Sequence, residues 1–281
     1  MSETGEQMRR NTVSIRVAAV GGGVISERMD RVAAEEPIEV RVAGPGQESV
    51  PLAVTMRTPG GDFELAVGFL FTEGLISGRE EVARVSYCED LPAEEHRYNV
   101  VTVRLNRPWD PGVAGRNFYV TSSCGICGKA SLDEVESLCT AVVAGPTVPA
   151  SVVSALPDRL REGQRVFDQT GGLHAAGLFD VDGNMLSLRE DIGRHNAVDK
   201  VVGEALLAGQ LPLSDRVLQV SGRLSLEVVQ KAAVAGVPIL SAVSAPSSLA
   251  VEAGERFGLT VIGFVRDGRF NIYSHPGRIA A

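Results

Sequence analysis

Two cysteines, Cys124 and Cys127, lie three positions apart, and each is followed by a glycine. Glycine at these places keeps the sulfur atoms accessible and leaves the backbone free to move. A thiol reacts as its thiolate, and exposed backbone amides together with the nearby cations Arg116 and Lys129 would favour ionisation. The pattern therefore predicts a reactive loop, residues 117–130, that can hold a sulfur atom and pass it on.

Two other interpretations of this loop stay open. Cys124 and Cys127 could form a zinc site with Cys88 and Cys139, although the usual zinc pattern repeats the close spacing and these other two cysteines are isolated. The loop could also be a thioredoxin-type dithiol, a motif that opens a helix directly after a strand. Outside such sites, isolated cysteines are usually small buried hydrophobes.

The second half of the chain offers candidate anion-binding residues where predicted strands lead into helices. The two junctions read Val220-Ser-Gly-Arg-Leu-Ser225 and Val243-Ser-Ala-Pro-Ser-Ser248. Helix N-termini gathered at the carboxyl edge of a parallel sheet bind anions, which makes Ser221 and Arg223 candidate ligand contacts. Junctions of this type also occur simply as helix caps.

Other polar residues near predicted strand ends are candidates for the same ligand site. A turn with two arginines closes the last predicted strand, and two guanidinium groups there could hold a nucleotide base or a diphosphate. Asp191 could instead only cap a helix, and Lys200 could only pair with a nearby carboxylate. The candidates are His174, Asp191, Arg194, His195, Phe264, Val265, Arg266, Asp267, Gly268 and Arg269.

The elements that must position these residues differ between the two halves of the chain. Short β-type runs fill the first part and are interrupted by one strong helix at 62–73. From residue 173 a hairpin with an Asp182-Gly183 turn precedes alternating helices and strands, the first helix spanning 190–207. We therefore predict an α/β protein with a β-rich N-terminal domain, residues 1–145, and a mostly parallel α/β domain, residues 146–281.

Composition narrows the function classes. Acidic residues outnumber basic ones by 35 to 27, and this net charge of −8 argues against non-specific binding to nucleic acid or to anionic lipid. The N-terminus has no secretory leader pattern and the longest uncharged run is broken by prolines, so we expect a cytoplasmic protein with no membrane segment. In a reducing compartment the four cysteines are expected to be thiols or ligands, not disulfides.

Four runs taken together resemble the FdhD family, the formate dehydrogenase accessory sulfurtransferases. The resemblance covers most of the chain and weakens before about residue 30 and between residues 140 and 165. The runs are Ser123-Cys-Gly-Ile-Cys-Gly128, Thr170-Gly-Gly-Leu-His-Ala-Ala176, Glu190-Asp-Ile-Gly-Arg-His195 with Asp199-Lys200, and Tyr273-Ser-His-Pro276.

The resemblance implies a function and a mechanism. Members of this family take persulfide sulfur from a cysteine desulfurase and transfer it to the molybdenum or tungsten bis(guanine dinucleotide) cofactor that formate dehydrogenase needs. Cys124 matches the persulfide carrier, and Cys127 matches a second cysteine that shares the sulfur or helps to release it. The cofactor-binding run of the family falls on residues 264–269.

The resemblance also implies an architecture and a set of partners. The α/β half is expected to have a deaminase-like fold without the zinc chemistry of the deaminases, and the sequence agrees because His195-Asn-Ala197 lacks the glutamate of the H-x-E signature. The bound cofactor is then the substrate, and no structural metal is expected. The expected partners are the desulfurase, formate dehydrogenase and a second copy of the chain.

Overall fold

The computed structural model describes residues 11–88, 98–110, 112, 118–119, 142 and 144–281. Of residues 118 and 119 it describes the backbone. Cys124, Cys127 and Cys139 lie outside the described residues, and so does most of the predicted cysteine loop at 117–130. Cys88 is half-buried directly after a strand, and its amide donates to Val100 O at 3.0 Å.

The N-terminal half contains a two-stranded ribbon and a five-stranded sheet. The ribbon is the antiparallel pair β1 and β2, and the five-stranded sheet has the order β5-β6-β3-β4-β7. One helix, α1, follows β4. The bounds are β1 (Thr12–Gly21), β2 (Val24–Ala33), β3 (Glu36–Ala43), β4 (Val50–Arg57), α1 (Asp62–Thr72), β5 (Val82–Tyr87), β6 (Val100–Leu105) and β7 (Phe118–Tyr119), with a 3-10 turn at Arg79–Glu81.

The C-terminal half is built on a six-stranded sheet with the order β10-β9-β11-β12-β13-β14. A short parallel pair, β8 with β15, joins the start of this half to the end of the chain. The bounds are β8 (Val148–Pro149), α2 (Ala150–Gly163), α3 (Arg165–Thr170), β9 (His174–Phe179), β10 (Met185–Asp191), α4 (Arg194–Leu207), β11 (Val217–Val220), α5 (Leu226–Val234), β12 (Ile239–Ala242), α6 (Ser248–Phe257), β13 (Thr260–Arg266), β14 (Arg269–Ile272) and β15 (Ile279–Ala280), with a 3-10 turn at Pro276–Arg278.

The prediction of a mostly parallel sheet in this half is wrong. Only the central strands β11, β12 and β13 run parallel to each other. Strand β9 is antiparallel to both β10 and β11, and β14 is antiparallel to β13. The reason is that two hairpins, β9–β10 and β13–β14, contribute the flanking strands, and a hairpin necessarily pairs its strands antiparallel. The fold class is therefore a mixed α/β protein.

Helices cover both faces of the six-stranded sheet. On one face, α2 packs Leu156 and Leu160 against Val217 and Ile239. On the other face, α4, α5 and α6 contribute to a larger core that also includes α1 and the inner face of the five-stranded sheet. This larger core crosses residue 145, and the division into two domains at that position stays a prediction.

Helices α1 and α4 pack with their backbones in close contact, and two glycines make this possible. A β-carbon on Gly68 would lie 1.9 Å from Asp199 O, and one on Gly203 would lie 1.9 Å from Glu64 O. Any side chain at either position would overlap the facing backbone, which cannot move aside as a flexible side chain could. The N-terminal half is thus held directly against the helix that follows β10.

Candidate functional site

The carboxyl ends of β11, β12 and β13 form one edge of the sheet, which we call the strand-end edge. The loop after β11 is fixed to the start of β9, since Ser221 N donates to Ala175 O and Ala175 N donates to Ser221 Oγ, both at 2.9 Å. Because β10 pairs antiparallel with β9, its final residue Asp191 lies opposite His174 at the same edge. This arrangement brings the start of α4 to the end of β11.

Backbone hydrogen bonds join the loops that follow β11 and β12 to each other and to the end of β13. Leu224 N donates to Ala245 O at 3.1 Å, Ser247 N donates to Leu224 O at 2.9 Å, and Phe264 N donates to Ser244 O at 3.2 Å. Helices α5 and α6 begin directly after these loops, so their N-termini lie at the strand-end edge together with that of α4. Free amide groups at helix N-termini favour bound anions. The predicted clustering of helix starts is therefore present.

Three of the predicted site residues meet around Gly222. A β-carbon at Gly222 would lie 3.4 Å from His174 Nδ1 and 3.7 Å from Arg194 Cδ, so the bare glycine leaves space between these side chains. The Arg194 Nε atom is buried and has no hydrogen-bond partner among the described residues. A buried donor without a partner is costly, and such a group in a native structure is explained by a ligand or water that completes it. Ser221 adjoins this group as the residue before Gly222.

His174 lies in a positive environment. Burial lowers its pKa below the usual 6.5, and the charge of Arg194 acts in the same direction. His195 and Arg223 add smaller effects of the same sign, whereas the Asp191 carboxylate opposes them. The imidazole is therefore biased toward its neutral form at an edge that already carries guanidinium groups. An anionic ligand would find several cationic groups here.

His195 is held by the first turn of α5. Its Nε2 atom lies 2.9 Å from Glu227 Oε2 and 3.2 Å from Ser225 Oγ. His195 is among the predicted site residues, whereas its partners Glu227 and Ser225 are not. The available signal was the junction before α5, because Ser225 ends that junction and Glu227 lies two residues further on.

Asp191 is fully buried, and its carboxylate faces the protein interior. Oδ1 accepts from Gly193 N at 2.8 Å and from Asn196 Nδ2 at 2.9 Å, while Oδ2 accepts from Thr58 N at 3.1 Å and lies 2.6 Å from Lys200 Nζ. The interpretation of Asp191 as a helix cap placed it in the wrong element, because it ends β10 and α4 begins at Arg194. Its contacts position the start of α4. The predicted pairing of Lys200 with a carboxylate is confirmed.

Residues 264–269 form the β13–β14 hairpin at the same edge of the sheet. Asp267 and Gly268 are the turn, with φ of 51° and 70°, and Arg266 pairs with Arg269 across it. The two arginines are exposed, as the predicted ligand contacts need to be. Val265, in contrast, is fully buried in the core under α2, so its side chain serves packing.

Phe264 has a left-handed backbone with φ of 56°. This conformation is strained for an aromatic residue. It coincides with the irregularity between Gly263 and Arg266 in the β13–β14 pairing and with the hydrogen bond from Phe264 N to Ser244 O. These contacts hold the Phe264 backbone in its strained conformation and fix the hairpin to the neighbouring loop. The hairpin lies two strands, or about 10 Å, from β11.

Strand β7 leads from the five-stranded sheet toward the cysteine pair. It runs parallel to β4, with Phe118 opposite Ala53 and Tyr119 opposite Val54. Beyond this pairing, the end of β4 is fixed to the start of α4, since Asn196 Nδ2 donates to Met56 O at 2.8 Å. Strand β7 ends at Tyr119, five residues before Cys124 in the sequence.

No group of three or more His, Cys, Asp or Glu side chains among the described residues is arranged to hold a metal ion. The helices described here include none with the length and apolar character needed to cross a membrane.

Comparison with known proteins gives a consistent result. The model of the FdhD/NarQ family matches residues 33–280. A protein of Streptomyces avermitilis named sulfur carrier protein FdhD is 49% identical over 284 residues, covering 97% of each chain. One of the same name from Mycolicibacterium paratuberculosis is 51% identical over 271 residues, covering 94% of this chain and 97% of the relative.

A solved structure extends the likeness to the fold. The crystal structure of a protein from Desulfotalea psychrophila, described as a formate dehydrogenase accessory protein, superposes with a TM-score of 0.75 at 25% identity. The superposition covers 96% of this chain and 100% of the other. The ribbon, both sheets and the strand-end edge thus lie within an architecture shared over nearly the whole chain.

Proposed function

Because the chain belongs to the FdhD/NarQ family, we propose that it is a sulfur carrier and sulfurtransferase that serves formate dehydrogenase. In this proposal Cys124 receives sulfur from a cysteine desulfurase as a persulfide. The terminal sulfur then passes to a molybdenum or tungsten bis(guanine dinucleotide) cofactor held at the strand-end edge. The observation that supports a ligand there is the buried Arg194 Nε beside Gly222, which no described residue satisfies with a hydrogen bond.

The sulfur chemistry balances in two steps. The Cys124 thiolate attacks the terminal sulfur of the desulfurase persulfide, a new S–S bond forms on Cys124, and the desulfurase cysteine leaves as a thiolate. In the second step the terminal sulfur binds the metal of the substrate cofactor, and the S–S bond breaks with its electron pair on Cys124, which restores the thiolate. The transferred sulfur atom leaves without that electron pair, so it becomes a sulfide ligand by taking two electrons from the metal, which must enter in its reduced form and is oxidised by two electrons. Attack of the Cys127 thiolate on the Cys124 sulfur would instead release the terminal sulfur as hydrosulfide and leave a disulfide.

The protein's share in this reaction is to bind and orient the substrate cofactor. Phosphate groups are matched by the N-termini of α4, α5 and α6 and by the planar guanidinium groups of Arg194 and Arg223. In this proposal the exposed Arg266 and Arg269 on the β13–β14 hairpin contact a base or a second phosphate. Asp191 acts in this proposal as a positioning residue, since its oxygens are already engaged inside the protein.

The proposal includes an architecture and an assembly. The strand order 10-9-11-12-13-14 with helices on both faces supports a deaminase-like sheet that serves nucleotide binding without a zinc centre. We further propose a cytoplasmic homodimer that meets the desulfurase and formate dehydrogenase in turn. The acidic net charge of −8 is in keeping with partners other than nucleic acid.

Guanosine diphosphate binding measured by calorimetry tests the ligand site. Arg194→Lys keeps the positive charge but removes the Nε donor, so affinity should fall while the protein stays folded. Arg216→Lys is the matched control, because Arg216 immediately precedes β11 at the opposite end of the sheet. Equal affinities for the two variants would place the nucleotide elsewhere. Stoichiometric zinc on Cys124 and Cys127 would favour a zinc-stabilised adaptor, and turnover in an insulin reduction assay would favour a dithiol oxidoreductase.

A further inference from the structure

The β1–β2 ribbon, residues 12–33, is a long pair of strands with little support. The strands pair without interruption from Thr12 opposite Ala33 to Gly21 opposite Val24. Among the described residues, β1 pairs with no strand other than β2, and β2 with no strand other than β1. A two-stranded hairpin is at best marginally stable in water, and three strands or more give independent stability. Within the described part of the chain, the outer edges of the ribbon therefore have no strand to pair with their backbone groups.

The tip of the ribbon is apolar and exposed, whereas its base is anchored. Val20, Val24, Ile25 and Met29 are 73%, 67%, 70% and 61% exposed. At the base, Arg31 Nη1 donates to Gln169 Oε1 of α3 at 2.7 Å. Clustered apolar side chains at the end of an anchored arm indicate a protein–protein contact.

The charges along β2 identify a second copy of the same strand as the occupant of its free edge. The strand contains Glu27-Arg28-Met29-Asp30-Arg31, so that the signs run negative, positive, neutral, negative, positive. If two copies pair antiparallel about Met29, each Glu27 lies opposite Arg31 of the second copy and each Arg28 lies opposite Asp30. All four facing charge pairs are then attractive, and opposite charges directly across a ladder stabilise it.

The same charges make the neighbouring registers of the β2–β2 pair unfavourable. A shift of one residue in one direction puts Glu27 opposite Asp30, and a shift in the other direction puts Arg28 opposite Arg31. Shifting the axis itself to Arg28 or to Asp30 places identical charges face to face. The charges of β2 therefore favour a single register. A single register distinguishes a specific pair of strands from an exposed edge that pairs with other strands non-specifically.

We propose that β2 pairs with β2 of a second copy about a two-fold axis at Met29, giving a continuous four-stranded sheet. A two-fold axis makes each contact occur twice, as an isologous dimer requires. The two Met29 side chains then meet on one face, where Ile25 also lies opposite Ala33 of the second copy. Met29 and Ile25, which are 61% and 70% exposed in the single chain, therefore lose contact with water in the dimer.

The ion pairs already present in the ribbon do not oppose this arrangement. Arg16 lies 3.4 Å from Glu27, and Arg28 lies 3.4 Å from Asp30. The four side chains are 74%, 72%, 62% and 43% exposed, so these contacts are weak and easily rearranged. Arg31 uses one donor on Gln169, and a guanidinium group has several others.

A charge swap tests the interface through sedimentation velocity of the full chain over a range of concentrations. Glu27→Arg places arginine opposite Arg31 twice per dimer, and we expect the dimer dissociation constant to rise at least about tenfold. Adding Arg31→Glu to the same chain restores opposite charges, so the double variant should again dimerise like the wild type. Glu48→Arg, the same substitution in an exposed loop, is the matched control and should leave the constant unchanged.

Covalent trapping gives a second readout that does not depend on charge. Met29→Cys places two thiols at the proposed axis, and mild oxidation should link the two copies. Ser14→Cys on β1 is the control and should give no more linkage than the wild type with its native cysteines.

These experiments measure dimer formation and not sulfur transfer. They therefore test the β2–β2 interface separately from sulfur transfer, although the interface rests on the homodimer of the proposed function. A chain that stays monomeric would overturn both the dimer and the interface. A dimer that is indifferent to Glu27→Arg, or that the second substitution does not restore, would overturn the interface alone.

Discussion

The Asp191 carboxylate lies 2.6 Å from the Lys200 ammonium, and both side chains are buried. Both groups also bond to Thr58, whose amide donates to Asp191 Oδ2 at 3.1 Å and whose carbonyl accepts from Lys200 Nζ at 2.9 Å. Thr58 directly follows β4, and Asp191 ends β10. This ion pair therefore joins the five-stranded sheet to the strand-end edge.

Removing the negative partner should destabilise the protein strongly. Asp191→Asn leaves the Lys200 ammonium buried without its counter-charge, which typically costs about 3–5 kcal/mol of the free energy of unfolding. Denaturant titration measures this loss. Asp168→Asn is the control, because it makes the same substitution in the exposed Arg161–Asp168 pair and should cost less than about 1 kcal/mol. A loss for Asp191→Asn no larger than that of the control would contradict this interpretation of the pair.

A methyl group added between α1 and α4 should also lower the free energy of unfolding. Gly68→Ala introduces a β-carbon 1.9 Å from Asp199 O, so the two helices must move apart. We expect a loss of about 1–3 kcal/mol or more in the free energy of unfolding, the range typical of overpacked cores. Gly277→Ala is a matched control, since nothing lies within 4 Å of its β-carbon position. Equal stability of the two variants would show that the helices separate at no cost.

His174 should make stability depend on pH. Its pKa in the folded protein is below 6.5 because of burial and of the charge of Arg194. The unfolded chain then binds the proton more readily, so the contribution of neutral His174 is complete above about pH 6.5 and is lost as the pH falls through the folded pKa. His174→Gln should reduce the loss of stability between about pH 7.5 and pH 5. An unchanged pH profile in denaturant titrations of the variant would contradict the lowered pKa.

The hairpin arginines should contribute to nucleotide affinity. We expect Arg266→Ala and Arg269→Ala each to weaken binding of guanosine diphosphate by about 1–3 kcal/mol, the scale of a charge-assisted hydrogen bond. Calorimetry measures this, with Arg216→Ala at the far end of β11 as the control. If both hairpin variants bind as tightly as the control, the β13–β14 turn is not part of the ligand site.

The sequence was informative where side-chain pattern alone decides structure. The short β-type runs of the first part and the helix at 62–73 were predicted because their apolar residues follow the period of a strand or a helix, and the strands of that part and α1 confirm them. Strand β2 escaped notice because Glu27, Arg28 and Asp30 interrupt its apolar residues and both its faces are largely exposed. No buried face imposes an alternating pattern on such a strand.

The errors near the site have a common physical origin in contacts distant along the chain. The start of α4 was placed at Glu190 because acidic residues favour a first helical turn. In the structure Asp191 instead extends β10, where Thr58, 133 residues away, supplies its hydrogen bond. The predicted two-residue turn at Asp182-Gly183 is a longer loop, since the Asp180 carboxylate accepts from the amides of Asp182 and Asn184.

The candidate site itself was predictable in its residue types but not in its grouping. His174, Arg194 and Ser221 were each identified from local sequence, yet their meeting around Gly222 depends on β9 pairing antiparallel with β11. A single sequence does not encode that strand order in any local pattern. The exposure of Arg266 and Arg269 beside the buried Val265 likewise reflects how the end of β13 lies against α2.

Mass spectrometry of the protein after incubation with a cysteine desulfurase and cysteine tests the central claim most directly. The account predicts one added sulfur on Cys124, present also in Cys139→Ala and absent in Cys124→Ala, and it predicts that Cys124→Ala fails to activate formate dehydrogenase. Full activation of the dehydrogenase by Cys124→Ala would contradict it.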